Sequence, residues 1–424
     1  MVRSLFKYLK ITYFKILESI AFYPVLLCVI FLLLAGVTTR IENVAFILKI
    51  KSKLPHLFIS DYETSRSILT TLVGGILSLT VFSFSMVMVV LNQASTNYSP
   101  RLLPSLIANK KHQIILGFYI GTLLYCIFVL IILGANGSDS VGLSTMLAAL
   151  FGVFCIGLFV YFIHNISTTI QINNIIDGIY SSSKKSLENR FKAQKLKTGL
   201  KVVDASDFKL IHSAKSGYFI NFDSSLLTDD FKNQQLQIHI LPYLNQHIWQ
   251  GDVIAKVSKQ LSDEAINALL FCFNISKNRH SGNEGISGLI KLMEIAVKAM
   301  SPGINDPGTS IEAINSLGKL MYKIVDFPEV NSSIDENSDL IIVTHNVRFD
   351  ELLRVVVQPI RFYAKEDCSV LYQLIKSLKY IATNPNISLE NKKCIITTLD
   401  LIRADSEKYI QNSNDKLALF KAFE

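Results

Sequence analysis

The chain has 424 residues, half of them apolar and 18% charged, with a net charge of +8 and six cysteines. Its mean hydropathy is positive, which suits a protein that is part membrane and part soluble. No C-x-x-C pair occurs and the cysteines are scattered, which argues against a zinc site or a disulfide scaffold and fits a reducing compartment for the soluble part.

Four uncharged apolar runs come first in chain order: Ile20–Val37, Ile68–Leu91, Ile114–Leu133 and Gly142–Ile163. Each has roughly the 17–25 residues that a bilayer-spanning helix needs. Arg3, Lys7, Lys10 and Lys15 ahead of the first run would also suit a signal peptide. The run is longer than a signal core and no small-x-small cleavage site follows, so an uncleaved span is expected.

The second run carries a pattern of its own. Thr71, Ser78, Ser85 and Asn92 recur every seven residues and share one side of a helix, with Gly74 and Gly75 beside them. Such a stripe can line a water-filled path, or it can let helices pack closely. No Asp, Glu, Lys or Arg lies inside any run, so ion-coupled transport is not indicated and a path would have to form between subunits.

Positive charge orients the spans. Gly134–Val141 has no Lys or Arg, whereas Lys184, Lys185, Arg190, Lys192, Lys195, Lys197 and Lys201 follow the fourth run. The positive-inside rule then places both termini and the C-terminal half in the cytosol, against the contrary charge of the Thr38–Ser67 loop. An inner (cell) membrane location follows. The isoleucine row from Ile163 to Ile179 reads as a helical extension of the fourth span, so residues 1–180 form the membrane domain and 181–200 a basic juxtamembrane linker. Lys184, Lys185, Arg190 and Lys192 are candidates for contact with anionic headgroups. Nucleic-acid binding is not expected, because the charge lies beside a span and lacks interleaved aromatics.

Residues 201–284 favour strands: "FKLIHSA", "GYFINF", "QLQIHILPYL" and "DVIAKV", separated by turns at Ser216-Gly217 and Gly251-Asp252. "HIWQGDVIAKVS" reads as strand, turn, strand, as in small β-barrel modules. "LSDEAINALLFCF" reads as a helix capped by Ser262 or Asp263. Residues 285–424 read as an amphipathic helical bundle. The fold class expected is therefore a four-span helical membrane protein with a cytosolic α+β domain, a small barrel-like part followed by helices.

Between two of those helices lies "AMSPGINDPGTSIEAIN". Ser301 precedes a proline, Gly303 can supply a left-handed step, and Asp306 before Pro307 matches an N-cap with proline at the first helical position. The stretch reads as a corner that ends one helix and starts the next. Around it, Arg279, His280, Glu284, Glu294, Asn305 and Asp306 are the candidate ligand-binding or loop-pinning residues, should the two helices pack together.

The order of motifs resembles the DUF2254 family of predicted bacterial membrane proteins. "NQASTNYSPRLLPSLIANKKHQIILGFYIGTLLYC" is similar to the family's segment across the second and third spans. "SGYFINFD" and "QGDVIAKV" are similar to its strand motifs, and "IAVKAMSPGINDPGTSIEAINSL" to its most specific signature. Arg279, Asn283, Glu284, Gly288 and Glu294 fall where the family shows Arg, Gln, Asp, Gly and Asp; Asn283 and Glu284 depart from it. The resemblance implies four spans and a cytosolic domain, and it supplies no activity.

Phosphate loops, zinc-protease helices and nucleophile elbows are all missing from the sequence, so an enzyme is not expected, nor a cofactor or metal. The leading expectation is a homo-oligomeric, channel-like membrane protein whose cytosolic domain gates or assembles it. The alternative is a membrane-anchored sensor or scaffold whose cytosolic domain binds a ligand or partner.

Overall fold

The structure is a computed structural model that describes residues 19, 21–42, 44–53, 58–59, 61–97, 110–136, 142–169, 171–195, 207–227, 231, 236–277, 284–327, 330–334 and 340–424. It divides into two compact units, Met1–Gln171 and Ile172–Glu424.

The first unit holds α1 (Phe22–Ile41), the short α2 (Ala45–Lys53), α3 (Tyr62–Asn97), α4 (Lys110–Asn136) and α5 (Gly142–Thr169). Helices α1, α3, α4 and α5 are each long and apolar enough to cross a membrane. At 36 residues α3 is about 54 Å long, well beyond a hydrocarbon core of roughly 30 Å. Central to the bundle is α4, which packs on α1, α3 and α5. Gly117 and Gly121 permit its approach to α1, where a Cβ would lie 2.8 Å from Leu27 Cδ1 or from Phe31 Cδ2. Inside, Phe31, Phe118, Phe151 and Tyr125 meet edge to face, with centroids 5.0–6.1 Å apart. Outside, Val29, Leu33, Val81, Phe84, Val153, Ile156 and Val160 are exposed, the reverse of a water-soluble bundle.

One end of this bundle carries a buried polar knot. Glu42 is 2% exposed and pairs with Lys51 of α2 at 2.6 Å. The backbone N–H of Leu143 donates to its Oε1 at 2.8 Å, and Ser144 Oγ to its Oε2 at 3.4 Å. A carboxylate from the end of α1 thus caps the N-terminus of α5, where free amides and the helix dipole favour negative charge.

The second unit opens with α6 (Ile172–Lys195). Helix α5 ends at Thr169, and most of the isoleucine row lies in α6, where Ile175 and Ile176 are buried. The basic stretch is helical as far as Lys195. An amphipathic row at helical spacing looks the same whether it leaves a membrane or enters a core.

After α6 come β1 (Lys209–His212), β2 (Gly217–Phe222), β3 (Gln237–Ile240), β4 (His247–Ile248), β5 (Val253–Val257), α7 (Asp263–Cys272) and β6 (Phe273–Ser276). Then follow α8 (Glu284–Ala299), α9 (Pro307–Ile324), β7 (Val330–Ile334), β8 (Ile341–His345), α10 (Phe349–Tyr363), α11 (Cys368–Ala382), α12 (Leu389–Tyr409) and α13 (Ser413–Phe420). The strands form two open sheets, ordered β1-β5-β3-β8-β7 and β4-β2-β6, with no closed barrel among the described residues. The Gly-Asp turn is present, with Gly251 at φ +92° and Trp249 N–H bonded to Asp252 Oδ2 at 2.8 Å. It does not close a hairpin: β4 pairs with β2, while β5 pairs with β1 and β3. The turn hands the chain from one sheet to the other, which is why the barrel-like reading fails.

Strand β8 lies parallel to β3, Gln237 opposite Ile341 and Ile240 opposite Thr344. Residues 285–424, where helices were expected to dominate, also contribute β7 and β8 to the larger sheet. Among the helices, α6 packs on α8 and α9, and α9 on α8 and α11. Gly288 of α8 sits against Ser183 of α6, and Gly318 of α9 against Ser377 of α11, each with no space for a Cβ. Close helix approach explains the glycine in the family-like pattern at position 288.

Candidate functional site

Three regions answer to the sequence expectations or compete with them. The first is the stripe of α3. Thr71, Ser78, Ser85 and Asn92 are all exposed, as are Gly74 and Gly75, so the stripe faces away from the other helices of its own unit. The polar residues that α3 buries are others, Ser65 and Ser83. Thr71 Oγ1 donates to Ser67 O at 2.8 Å and Ser78 Oγ to Gly74 O at 2.9 Å. These hydroxyls close on their own helix, a habit that lets serine and threonine sit in an apolar medium without a partner.

The second is the corner between α8 and α9. Asp306 caps α9: Thr309 N–H donates to its Oδ1 at 3.1 Å and Thr309 Oγ1 to its Oδ2 at 2.6 Å. Pro307 occupies the first turn. The Asp306 N–H bonds back to Ala299 O at 2.8 Å, and the Ile304 and Asn305 N–H groups both bond to Ser301 O at 3.0 Å. The left-handed step falls on Asn305, at φ +48°, rather than on Gly303. Asparagine tolerates that conformation better than other side chains bearing a Cβ. With both Asp306 oxygens engaged, the α9 N-terminus is filled from within. Glu284 starts α8 and Glu294 is half-buried in its middle. Arg279 and His280 lie outside the described residues, so the six candidates are not seen as one constellation. Lys184 and Lys185 lie on α6, half-buried and exposed respectively; Arg190 and Lys192 belong to the same helix.

The third was not foreseen. A cleft of about 590 Å³ opens between α6, α9 and α11. Its walls include Tyr180 and Glu188 from α6, Lys319, Tyr322 and Lys323 from α9, and Tyr380 from α11. Tyr322 and Tyr380 stack with centroids 4.7 Å apart and planes 19° from parallel. Lys319 Nζ lies 5.7 Å from the centre of the Tyr180 ring, and Lys323 Nζ pairs with Glu188 Oε1 at 2.5 Å. Asp326 Oδ1 accepts from Asn384 Nδ2 at 3.2 Å and Asn386 Nδ2 at 2.9 Å. A concave site of this size, mixing apolar and aromatic walls with a few polar groups, is what small-molecule binding requires. A signal for it existed: Lys319, Tyr322, Lys323 and Asp326 recur at i, i+3, i+4 and i+7, a polar-aromatic face that an ordinary bundle would not need.

A further groove of about 400 Å³ runs between α10 and α12 past Arg354, Arg361 and Cys394. Arg361 there is tied to Asp405 at 3.3 Å, and burial and the nearby Asp350 push the Cys394 thiol up, so it is no activated nucleophile.

The family model described as a predicted membrane protein (DUF2254) matches residues 17–380, from ahead of α1 into α11. The chain belongs to the DUF2254 family. Uncharacterized proteins of Mycobacterium tuberculosis strain H37Rv and of Mycobacterium bovis are each 21% identical to it over 376 residues. Those matches cover 84% of this chain and 70% of each relative. No solved structure matches. The matched residues 17–380 include the α3 stripe, the α8–α9 corner and the cleft's tyrosines and lysines.

Proposed function

We propose that this DUF2254 protein is a membrane-anchored binding protein. Its four spans hold it in the cell membrane, and its second unit takes a small ligand in the cleft between α6, α9 and α11. The cleft carries this reading: about 590 Å³, three tyrosines and two lysines, on helices that glycine–serine notches hold close together. Binding rather than catalysis is the proposed role, and a sensor or scaffold is the class. The test is a thermal-shift screen of the full chain in lipid nanodiscs against water-soluble metabolites. A compound that raises the Tm of the native chain but not of a Tyr380→Ala variant supports the reading. A screen without any shift that depends on Tyr380 removes it.

In the same reading both termini and the second unit are cytosolic, because the basic residues after the fourth span outweigh the 134–141 turn, which has no Lys or Arg. Cysteines introduced at Ser138 and Ser206 should then react oppositely with an impermeant thiol reagent outside intact cells. Labelling at 206 reverses the orientation. Lys184, Lys185, Arg190 and Lys192 would add contact with anionic headgroups, seen as stronger flotation with anionic than with neutral vesicles.

One observation favours a second reading, a homo-oligomeric channel-like assembly: the whole stripe Thr71, Ser78, Ser85 and Asn92 faces off its own unit. Several copies could bring these faces together around a shared path. The self-bonded hydroxyls of Thr71 and Ser78 weaken it, because they make no demand for water. A ring-shaped oligomer with a reagent-accessible Ser85→Cys thiol would favour the channel. A monomer with an unreactive thiol would remove it.

A further inference from the structure

The cleft has a direction. Lys319, Tyr322 and Lys323 share one face of α9, and Asp326 follows in the turn just past its end, on the same cleft wall. The Lys319 end is positive and loosely held. Lys319 is exposed and rests over the Tyr180 ring; the Lys323 and Glu188 side chains of the pair are 32% and 47% exposed. Exposed pairs of that kind contribute little and yield to an anion that offers several oxygens. The Asp326 end is fixed instead. Asn384 and Asn386 hold its carboxylate, and Asn384 Nδ2 also donates to Tyr322 O at 2.7 Å, tying the loop after α11 to α9. Between the ends lies the flat pair of Tyr322 and Tyr380.

A ligand that uses all three features needs a negative group at one end, a planar ring in the middle and hydrogen-bond donors at the other end. Resting on the reading of this cleft as a ligand site, we propose that it takes a purine mononucleotide. The phosphate lies at Lys319 and Lys323, the base against the tyrosine pair, and an exocyclic or ring N–H points to Asp326. Base-on-aromatic stacking is a favourable contact for any nucleobase, and amino groups on the base edge supply the donors a carboxylate accepts. A neutral aromatic compound would leave the lysines unused. A ligand anionic at both ends would meet repulsion at Asp326.

The test is equilibrium dialysis of the full chain in nanodiscs with AMP and GMP, beside adenosine, guanosine and ribose 5-phosphate. The expected result is saturable binding of at least one mononucleotide, weakened at least tenfold when either the phosphate or the base is removed. Lys319→Glu should weaken it at least tenfold, and Lys319→Arg should keep it; Lys319 is exposed, so Tm should not move. Equal binding of the nucleoside or of ribose 5-phosphate, or indifference to Lys319→Glu, overturns the proposal. If no mononucleotide binds while another metabolite gives a Tyr380-dependent thermal shift, the nucleotide falls and the cleft reading stands. If neither occurs, both fall.

Discussion

Helices α3 and α9 each present a polar face, yet they satisfy it in opposite ways. On α3 the hydroxyls on and near the stripe bond back to carbonyls of the same helix: Thr71 to Ser67, Ser78 to Gly74, Thr80 to Ile76. On α9 the polar groups reach other helices, Lys323 to Glu188 and Asn315 to Gln373. A group that closes locally asks nothing of its surroundings and is compatible with lipid. One satisfied across a gap both ties helices together and leaves a polar concavity between them. Position in a helix therefore says less about function than where the hydrogen bond ends.

In the first unit the Glu42 knot departs from the local pattern of the α3 stripe, and there the largest effect is expected. Glu42→Ala would strand Lys51 and uncap α5, at a cost of about 3 kcal/mol in a denaturation series in detergent. A loss below about 1 kcal/mol would mean that the knot is solvated and the contrast between the units is weaker than drawn. In the second unit, Gly288→Leu drives a side chain into Ser183, whose Cβ lies 2.9 Å from where a Cβ at 288 would be. A loss of about 1–3 kcal/mol is expected, partly recovered by Ser183→Gly in the double variant.

Asp306→Ala tests whether the α8–α9 corner is held by its cap, with about 1 kcal/mol lost and most of it restored by Asp306→Ser. If Asp306→Ser keeps stability but abolishes ligand binding, the corner is a site after all.

A smaller effect is expected from His239 on β3. Burial, with His345 and Lys256 nearby, holds its pKa below the ordinary 6.5. Gln237 Nε2 lies 2.9 Å from His239 Nε2, a contact the neutral ring can accept and the protonated ring cannot. The unfolded chain therefore takes up the proton first. Stability is full above pH 6.5 and declines as pH falls toward the lower folded value. Urea unfolding from pH 7.5 to 5.5 should show that slope, and His239→Gln should flatten it. Smallest of all is Ser85→Leu, which leaves the stability of a single chain within about 0.5 kcal/mol, because residue 85 is exposed on α3. A larger loss would show that the stripe is covered, and would point to a second copy.

Much of the fold was legible because it rests on local chemistry. Long uncharged runs announce α1, α3, α4 and α5, and Asp306-Pro307 announces the start of α9. What stayed hidden depends on distant partners. Strand β8 is a short apolar run whose β3 partner lies 104 residues earlier, counting from Gln237 to Ile341. The Glu42 cap reaches from α1 to α5, 101 residues on. Tyr180, Tyr322 and Tyr380 come from three separate helices, so no spacing could have gathered them. The Asn305 step was hidden for a different reason: glycine and asparagine both suit it, and only the backbone shows which takes it.

The parallel pairing of β3 with β8 also bears on how the protein is made. During synthesis β3 can join β5 early, but its other edge waits for the 104 residues that bring Ile341. At about 5–20 residues per second that is roughly 5–20 seconds with an unpaired strand edge facing the ribosome's surroundings. Edges of that kind recruit other strands. Ribosome-associated holding factors, or slow emergence beside an already inserted membrane unit, would shelter it. A chain stopped between α9 and β8 would keep that edge open permanently, and aggregation rather than mere loss of activity is the outcome its geometry dictates.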